Sequence, residues 1–573
     1  MLTRSDAMAM LAELAKLTAL DEGSAQSFKA RAYQRAMAGI EAHPGELGGL
    51  TKRDLVEISG VGDATASKLL ELEATGKVAK LESLREKYPA PFVELTKVPG
   101  LGPKTLKTLR DRIGVEDIDS LMGAISSKRL REAPGMGEKT EEKIARAVER
   151  LGLNSKERRV PLAEAHGPAW AIARRLSEVQ GVSEAIPCGS IRRFAETVGE
   201  VVVVVAATSP AAVHEAAAAL PEAAEAIASD EAKTSFVTRA GLQVDIRVAP
   251  PEQLGAALLR FTGPTAHHAA LRRRADDRGL TLSERGLLDG DRVLASKTEE
   301  AIYEALGLPF APPTLREGAD AAAGGDWPDL ITRDRIKGDL HYHSDRSGDG
   351  RSTLEEMARA AVEAGYSYVA FTEHGEDLAI NGSSREEMAA HRDRIRRLDA
   401  EMGEITLLHG CELNIGPDGS LDYDPEFRSG FDWCVASIHS HFDLPEERQT
   451  ARILTALQDP AVNAVGHVTG RYVGRRPGVD LDIDAVLEGL AVAGVALEVN
   501  GALDRLDASS DTARAAAERG IDISIATDSH HVSDLVRMGY GVRYAQRGRV
   551  PADRVLNARP VEEVLQRAAA RRG

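Results

Sequence analysis

The sequence predicts a multidomain α/β protein with a helical amino-terminal region, a central α/β module and a carboxy-terminal β/α barrel. Three observations carry that expectation. A chain of 573 residues is too long for one core and should divide into units of roughly 100–200 residues. A glycine-turn motif recurs three times before residue 140. Beyond residue 338, short apolar runs end repeatedly in His, Asp or Glu, with helical segments after most of them. Repeated units of strand, polar residue and helix describe a barrel whose chemistry sits at the C-terminal rim.

Composition narrows the class. With 43% hydrophobic and 28% charged residues the chain is ordinary globular material, and no apolar run approaches the ~18 residues of a membrane span. The N-terminus lacks the apolar core and cleavage site of a signal peptide. The three cysteines, Cys188, Cys411 and Cys434, form no Cys-x-x-Cys pair. A cytoplasmic protein with no membrane partner is expected. The net charge is −17, but residues 1–150 hold 24 Lys/Arg against 23 Asp/Glu, or +1, leaving −18 for the remainder. The acidity lies away from the amino-terminal part, so it does not exclude a nucleic-acid partner there.

In the first third, apolar residues at helical spacing predict helices over 7–20 and 28–42. The repeat follows as Ile58-Ser59-Gly60-Val61-Gly62, Val98-Pro99-Gly100-Leu101-Gly102 and Ala133-Pro134-Gly135-Met136-Gly137, each opening an amphipathic segment. Two glycines let a ligand approach the backbone, and a new helix begins with unpaired N–H groups. That combination suits a phosphate oxygen read without regard to base sequence. Lys104 and Lys139, two residues past the second glycine, add charge where the first copy has Ala64. One copy alone would be read as helix capping; three copies favour phosphate binding.

The repeats resemble the helix-hairpin-helix elements of family X DNA polymerases, whose first domain binds the 5′ side of a gap. In that family a lysine after the first hairpin can form a Schiff base with a deoxyribose-phosphate end, and Lys68 holds the matching position. A lysine nucleophile needs a depressed pKa, and a solvated lysine is the plainer reading of the sequence.

The middle resembles the same family's nucleotidyltransferase-like palm. Gly189, Ser190 and Arg193 match the residues that hold a nucleoside triphosphate, and Asp245 suits the third metal-binding acid. Phe261-Thr262-Gly263 and the following helix resemble the thumb. The family continues Thr-Val-Gly into Asp-x-Asp, whereas this chain reads Glu200-Val201-Val202, and no Asp occurs between Ile191 and Asp230. Valine offers a metal no lone pair. Two-metal phosphoryl transfer needs both ions clamped, so Mg or Mn binding by Glu200 and Asp245 is doubtful and polymerisation is expected to be weak or lost. A dNTP could still meet Ser190 and Arg193.

A small-residue connector precedes the barrel. In Leu340-His341-Tyr342-His343 two imidazoles share one side of a strand, and Asp349 follows in a glycine-rich turn. Alone this pattern reads as packing. Ten of the 15 histidines lie between His341 and His531, however, mostly at the ends of apolar runs. This part resembles the PHP (polymerase and histidinol phosphatase) domain fused to bacterial family X polymerases, so the resemblance covers nearly the whole chain in the same domain order. It implies a metal-ligand set of His341, His343, Asp349, His374, Glu412, His439, His467, Asp528 and His530, all present. Glu373 stands where Asp is usual, His441 and His531 fall outside the set, and Arg471 is a candidate for meeting a phosphate. Imidazole with carboxylate suits Mn, Zn or Fe. Such ions lower the pKa of water from about 15.7 to about 7, and phosphoester hydrolysis is the expected reaction class.

The division expected is a 5′-end-binding helical domain over 1–90, a fingers-like hairpin region over 91–155 and a palm over 156–250. A thumb-like segment over 251–316, a linker over 317–333 and the barrel over 334–573 follow. The leading reading is a DNA-repair enzyme acting on gapped, nicked or abasic DNA as a 3′→5′ exonuclease, an abasic-site endonuclease or both. The alternatives are a gap-filling polymerase with an editing barrel, and a small-molecule phosphatase of the histidinol-phosphate type.

Overall fold

The computed structural model describes residues 2–24, 26–43, 45, 47–98, 100–150, 159–229, 233–238, 241–319, 321, 324–325 and 327–572. The expected boundary at 155 and connector positions 320, 322, 323 and 326 lie outside them. The chain forms two compact units, Met1–Arg158 with Gly474–Pro477, and Arg159–Val473 with Gly478–Gly573.

Between residues 2 and 150 the regular elements among the described residues are all helices. Helices Arg4–Glu22 and Phe28–Ala42 start where Thr3 and Ser27 accept backbone N–H groups, the ordinary chemistry of an N-cap. The three glycine turns share one geometry. Val61, Leu101 and Met136 donate their N–H groups to the carbonyls of Ile58, Val98 and Ala133, each across 3.0 Å. Gly60, Gly100 and Gly135 sit at φ 77°, 90° and 81°, which the third position of such a turn requires. Gly62 and Gly102 begin helices Asp63–Thr75 and Pro103–Ile113 without any side-chain cap, and Glu138–Arg150 follows Gly137. The residue between each glycine pair plugs into one shared apolar core.

In the second unit a five-stranded sheet comprises β1 (Val182–Pro187), β2 (Val201–Ala207), β3 (Ala223–Ser229), β4 (Lys233–Thr238) and β5 (Gln243–Ala249), in the order β1-β2-β5-β4-β3. Only β2 and β5 run parallel. The run Val201–Val205 makes β2 wholly buried. Helices Leu254–Thr262 and Thr265–Asp276 and a small antiparallel sheet follow.

The barrel has seven parallel strands in sequential order: β6 (Gly338–Tyr342), β7 (Tyr368–His374), β8 (Thr406–Asn414), β9 (Trp433–Ser437), β10 (Ala464–Val465), β11 (Ala496–Asn500) and β12 (Ile523–Ala526). A bridge between Tyr342 and Ser529 brings the end of the series back to its start. Nearly every strand residue is buried, as expected for a parallel sheet wrapped by helices. Most polar side chains of the barrel's ligand set come from the C-terminal ends of these strands or the loops just after them.

Candidate metal centre

Each barrel strand delivers its polar residues to the same end. His341 is the penultimate residue of β6 and His343 follows the strand; His374 ends β7; Glu412 lies beside His374 in the register of β7 and β8. His439, His467, Asp528 and His530 come two to four residues after β9, β10 and β12. His467 and Asp528 adopt positive φ values of 24° and 50°, a conformation that non-glycine residues hold only where the surroundings enforce it.

The nine candidate ligands come together. Ligand atoms of His343, His374 and His530, of His341, Glu412 and His467, of His341, His343 and Asp528, and of His374, Glu412 and His439 each fall within 4.8 Å of one another. Asp349 joins at 3.5 Å from His374 and 3.4 Å from His530.

The imidazoles are oriented as ligands. His341 Nδ1 lies 2.6 Å from the Glu498 carboxylate, His439 Nδ1 2.6 Å from Asn414 Oδ1, and His530 Nδ1 3.0 Å from the Asp528 carbonyl. These oxygens can only accept, so each Nδ1 carries the proton and each Nε2 lone pair faces inward. The donor set passes a direct test of fit. His341 Nε2, His343 Nε2, His374 Nδ1, His467 Nδ1, His530 Nε2 and Glu412 Oε2 are buried atoms with no hydrogen-bond partner. Buried polar atoms are seldom left unbonded, and divalent cations held by these overlapping groups would give them partners.

The electrostatics agree. Burial works against charge on Glu412 and Asp528, yet the neighbouring histidines outweigh it and hold both carboxyls well below their usual range. Burial likewise opposes charge on His374, but Glu412 and Asp349 raise its pKa to about 10. Burial and the neighbouring His530 bring His343 down to about 4. Such divergence marks a packed cluster of mutually dependent charges.

Several supporting roles escaped the sequence reading. Glu373 accepts hydrogen bonds from the backbone and hydroxyl groups of Ser344 and Ser347, and from His391, and so anchors the loop that carries Asp349. Glu498 and Asn500 support the ligands from β11: Asn500 Nδ2 donates to Glu498 and to Asp528, each at 3.1 Å. Their Glu-x-Asn spacing within an apolar run was the available signal, the same spacing as His341 and His343. Arg505 stands 3.6 Å from Asp528.

Arg471 corrects an expectation, because it does not face a phosphate site. Its guanidinium holds Glu196 at 2.9 Å, the Arg505 carbonyl at 3.1 Å, the Tyr544 hydroxyl at 3.1 Å and the Leu506 carbonyl, so it ties the five-stranded module to the barrel. His441 and His531 stay outside the centre, His531 capping a short helix.

In the palm-like module Gly189, Ser190 and Arg193 lie together, but Arg193 is already engaged. It donates to the Thr262 carbonyl at 2.6 Å, Glu317 at 3.0 Å and Ser190 at 3.4 Å. Val202 stands beside Asp245 in the β2–β5 register and packs with Cys188, Val204, Ala257 and Leu258. Asp245 accepts from Ser235 at 2.7 Å and is flanked by Arg247 at 3.4 Å and Lys233 at 3.7 Å. Glu200 is exposed, one residue before β2.

In the helical unit, Gly62, Gly102, Gly137, Lys104 and Lys139 are exposed, and a Cβ at Gly62, Gly102 or Gly137 would meet nothing within 4 Å. Those turns are open to a ligand. Lys68 donates to the Ala64 carbonyl at 3.0 Å and lies 5.8 Å from the Tyr33 ring; burial lowers its pKa.

Comparison with known proteins gives a consistent picture. Residues 3–78 match the helix-hairpin-helix domain, 92–150 the SAM-like helix-hairpin-helix tandem, 257–317 the DNA polymerase beta thumb and 339–502 the PHP domain. The DNA polymerase/3′-5′ exonuclease PolX of Bacillus subtilis is 36% identical over 543 residues, covering 94% of each chain. A probable phosphatase of Vibrio atlanticus is 27% identical over 35% of this chain and 80% of its own length. One of Clostridium acetobutylicum is 29% identical over 34% and 78%.

Proposed function

The chain belongs to the PolX family of DNA polymerase/3′-5′ exonucleases, and from that premise we propose that its working chemistry is phosphodiester hydrolysis by the PHP barrel. The reaction is 3′→5′ exonuclease action, abasic-site cleavage or both, on gapped, nicked or abasic DNA in the cytoplasm. The observation that carries it is the convergence of buried histidine and carboxylate ligand atoms at one rim, several of them without a hydrogen-bond partner.

His341, His343, Asp349, His374, Glu412, His439, His467, Asp528 and His530 would hold divalent ions, with Mn, Zn and Fe all compatible with imidazole and carboxylate. Ions bound there would supply Lewis acidity toward a phosphoryl oxygen and acidify water. The protein's own part is orientation. Glu498, Asn414 and the Asp528 carbonyl fix imidazole tautomers, Glu373 holds the Asp349 loop, and Arg505 is placed to meet a phosphate oxygen. Buried strands below the rim keep the donors dry, which strengthens every charge interaction among them.

In this reading segments 1–90 and 91–155 hold DNA through backbone N–H groups at Gly60, Gly62, Gly100, Gly102, Gly135 and Gly137, with Lys104 and Lys139 adding charge. Lys68 is the residue to test for a Schiff base by borohydride trapping. Segments 156–250 and 251–316 position a strand without extending it. Val202 gives metal no ligand beside Asp245, and Lys233 and Arg247 already flank that carboxylate. The segment 317–333 links them to the cutting domain, 334–573.

The test is a 5′-labelled gapped primer with Mn²⁺, with and without dNTPs, for the native chain and Asp528→Ala. Shortening that disappears in Asp528→Ala is expected. Extension with dNTPs would favour the gap-filling alternative, and hydrolysis of histidinol phosphate with no attack on DNA would favour the phosphatase.

A further inference from the structure

The loop over residues 375–383, directly after His374, is tightly held. Gly375 donates to the Glu412 carbonyl at 3.1 Å, Asp377 to the Asp422 carboxylate at 2.6 Å and Ser383 to the His374 carbonyl at 3.0 Å. The Asn381 carbonyl accepts from Gly348, the neighbour of Asp349, at 3.2 Å. A Cβ on Gly348 would lie 3.1 Å from the Ile380 carbonyl. From this fixed frame the Ile380 side chain projects 91% exposed, the most exposed large apolar side chain among the described residues. Val536, 57% exposed, follows His530 by the same six residues that separate Ile380 from His374.

Single exposed aliphatic residues are ordinary on protein surfaces, so exposure alone decides nothing. Position decides. The loop makes backbone contact with the loop that brings Asp349 to the centre, which puts Ile380 next to the segment carrying that ligand. A strand whose phosphate reaches the donors carries a flat apolar base one sugar away. Such a face gains from covering an aliphatic side chain, and contact with a base face is tolerant of sequence.

We propose that Ile380 is a specificity-determining contact that seats the nucleobase beside the scissile phosphate. This rests on the nucleic-acid substrate argued above, and it explains how the same metal set would prefer a nucleotide to a small phosphate ester.

The test uses the full chain with Mn²⁺ and two oligonucleotides, one with a normal 3′-terminal nucleotide and one whose terminal nucleotide is abasic. Ile380→Ala is expected to raise KM about five- to tenfold for the base-bearing end, with kcat and the abasic substrate unchanged. Ile380→Trp should restore KM, and Val492→Ala, an exposed residue on helix Ile483–Ala493, should change nothing. In an Asp528→Ala background, the fluorescence change of a terminal 2-aminopurine on binding should vanish when Ile380→Ala is added. Equal effects on both substrates, or no effect on either, overturn the proposal alone. A native chain that cuts neither oligonucleotide overturns the nucleic-acid reading with it.

Discussion

The Glu498 carboxylate accepts the Nδ1 proton of His341 across 2.6 Å, and both side chains are fully buried. Glu498 also accepts the backbone N–H of His467 at 3.2 Å, so one side chain positions two candidate ligands. Glu498→Gln keeps the shape while removing the charge. It is expected to weaken metal binding about 10- to 100-fold, read by competition against a chromophoric chelator and by metal content after dialysis. Unchanged affinity would mean that Glu498 merely fills space.

Val202 and Asp245 stand side by side on β2 and β5, and that pairing defines what the palm lacks. Glu200→Asp with Val202→Asp should give more Mn²⁺-dependent, template-directed primer extension than the native chain, for which weak or no extension is proposed. The cost is a carboxylate placed among Cys188, Val204 and Leu258, on the order of several kcal/mol of stability, visible in a urea melt. Failure to extend, in a variant that still folds, would locate the defect elsewhere. Arg193, bound to Glu317, would be the next suspect.

These two sites differ in how far the sequence revealed them. Ligands such as His341, Glu412 and Asp528 were legible because each interrupts or closes an apolar run at or near the end of a predicted strand. The glycine turns were legible because a positive φ demands glycine at Gly60, Gly100 and Gly135. Glu373 and Glu498 were not, since a supporting carboxylate looks the same in sequence as a ligand or a surface acid. Only the three-dimensional partners, Ser344 and Ser347 for one and His341 for the other, separate them. Arg471 misled for a related reason. An arginine after a metal ligand suits a phosphate or a carboxylate equally well, and Glu196 lies 275 residues away in the chain.

Arg471 is one tie between the five-stranded module and the barrel, with Glu196, Tyr544 and two carbonyls as its partners. Arg471→Ala would leave a carboxylate and carbonyls unpaired, and a loss of about 3 kcal/mol is expected. Arg471→Lys should recover little, because an ammonium cannot reproduce the planar fork. Chemical denaturation of both variants checks this. A lysine variant as stable as the native chain would show that charge, not geometry, is what counts.

His166 makes the acid stability of this junction testable. Its ring packs 4.9 Å from Tyr540 of the barrel and 6.1 Å from Phe194, and its Nε2 has no hydrogen-bond partner. Burial, with Arg543 nearby, lowers its pKa from 6.5 to about 4. Above pH 6.5 the ring is neutral in both folded and unfolded chains, so it contributes no pH dependence there. Between pH 6.5 and about 4 the unfolded chain binds a proton that the folded chain refuses, and stability falls as pH falls; below that window the loss levels off. At pH 5 the cost from this one ring is about 2 kcal/mol. His267, also lowered to about 4 by burial, adds a loss of the same sign, so the comparison must be with a variant. His166→Phe keeps an aromatic ring and cannot titrate. Urea melts at pH 7.5 and pH 5 should show the native chain losing more stability than His166→Phe by about that amount. Equal losses in the two proteins would show that His166 takes up its proton without leaving its site.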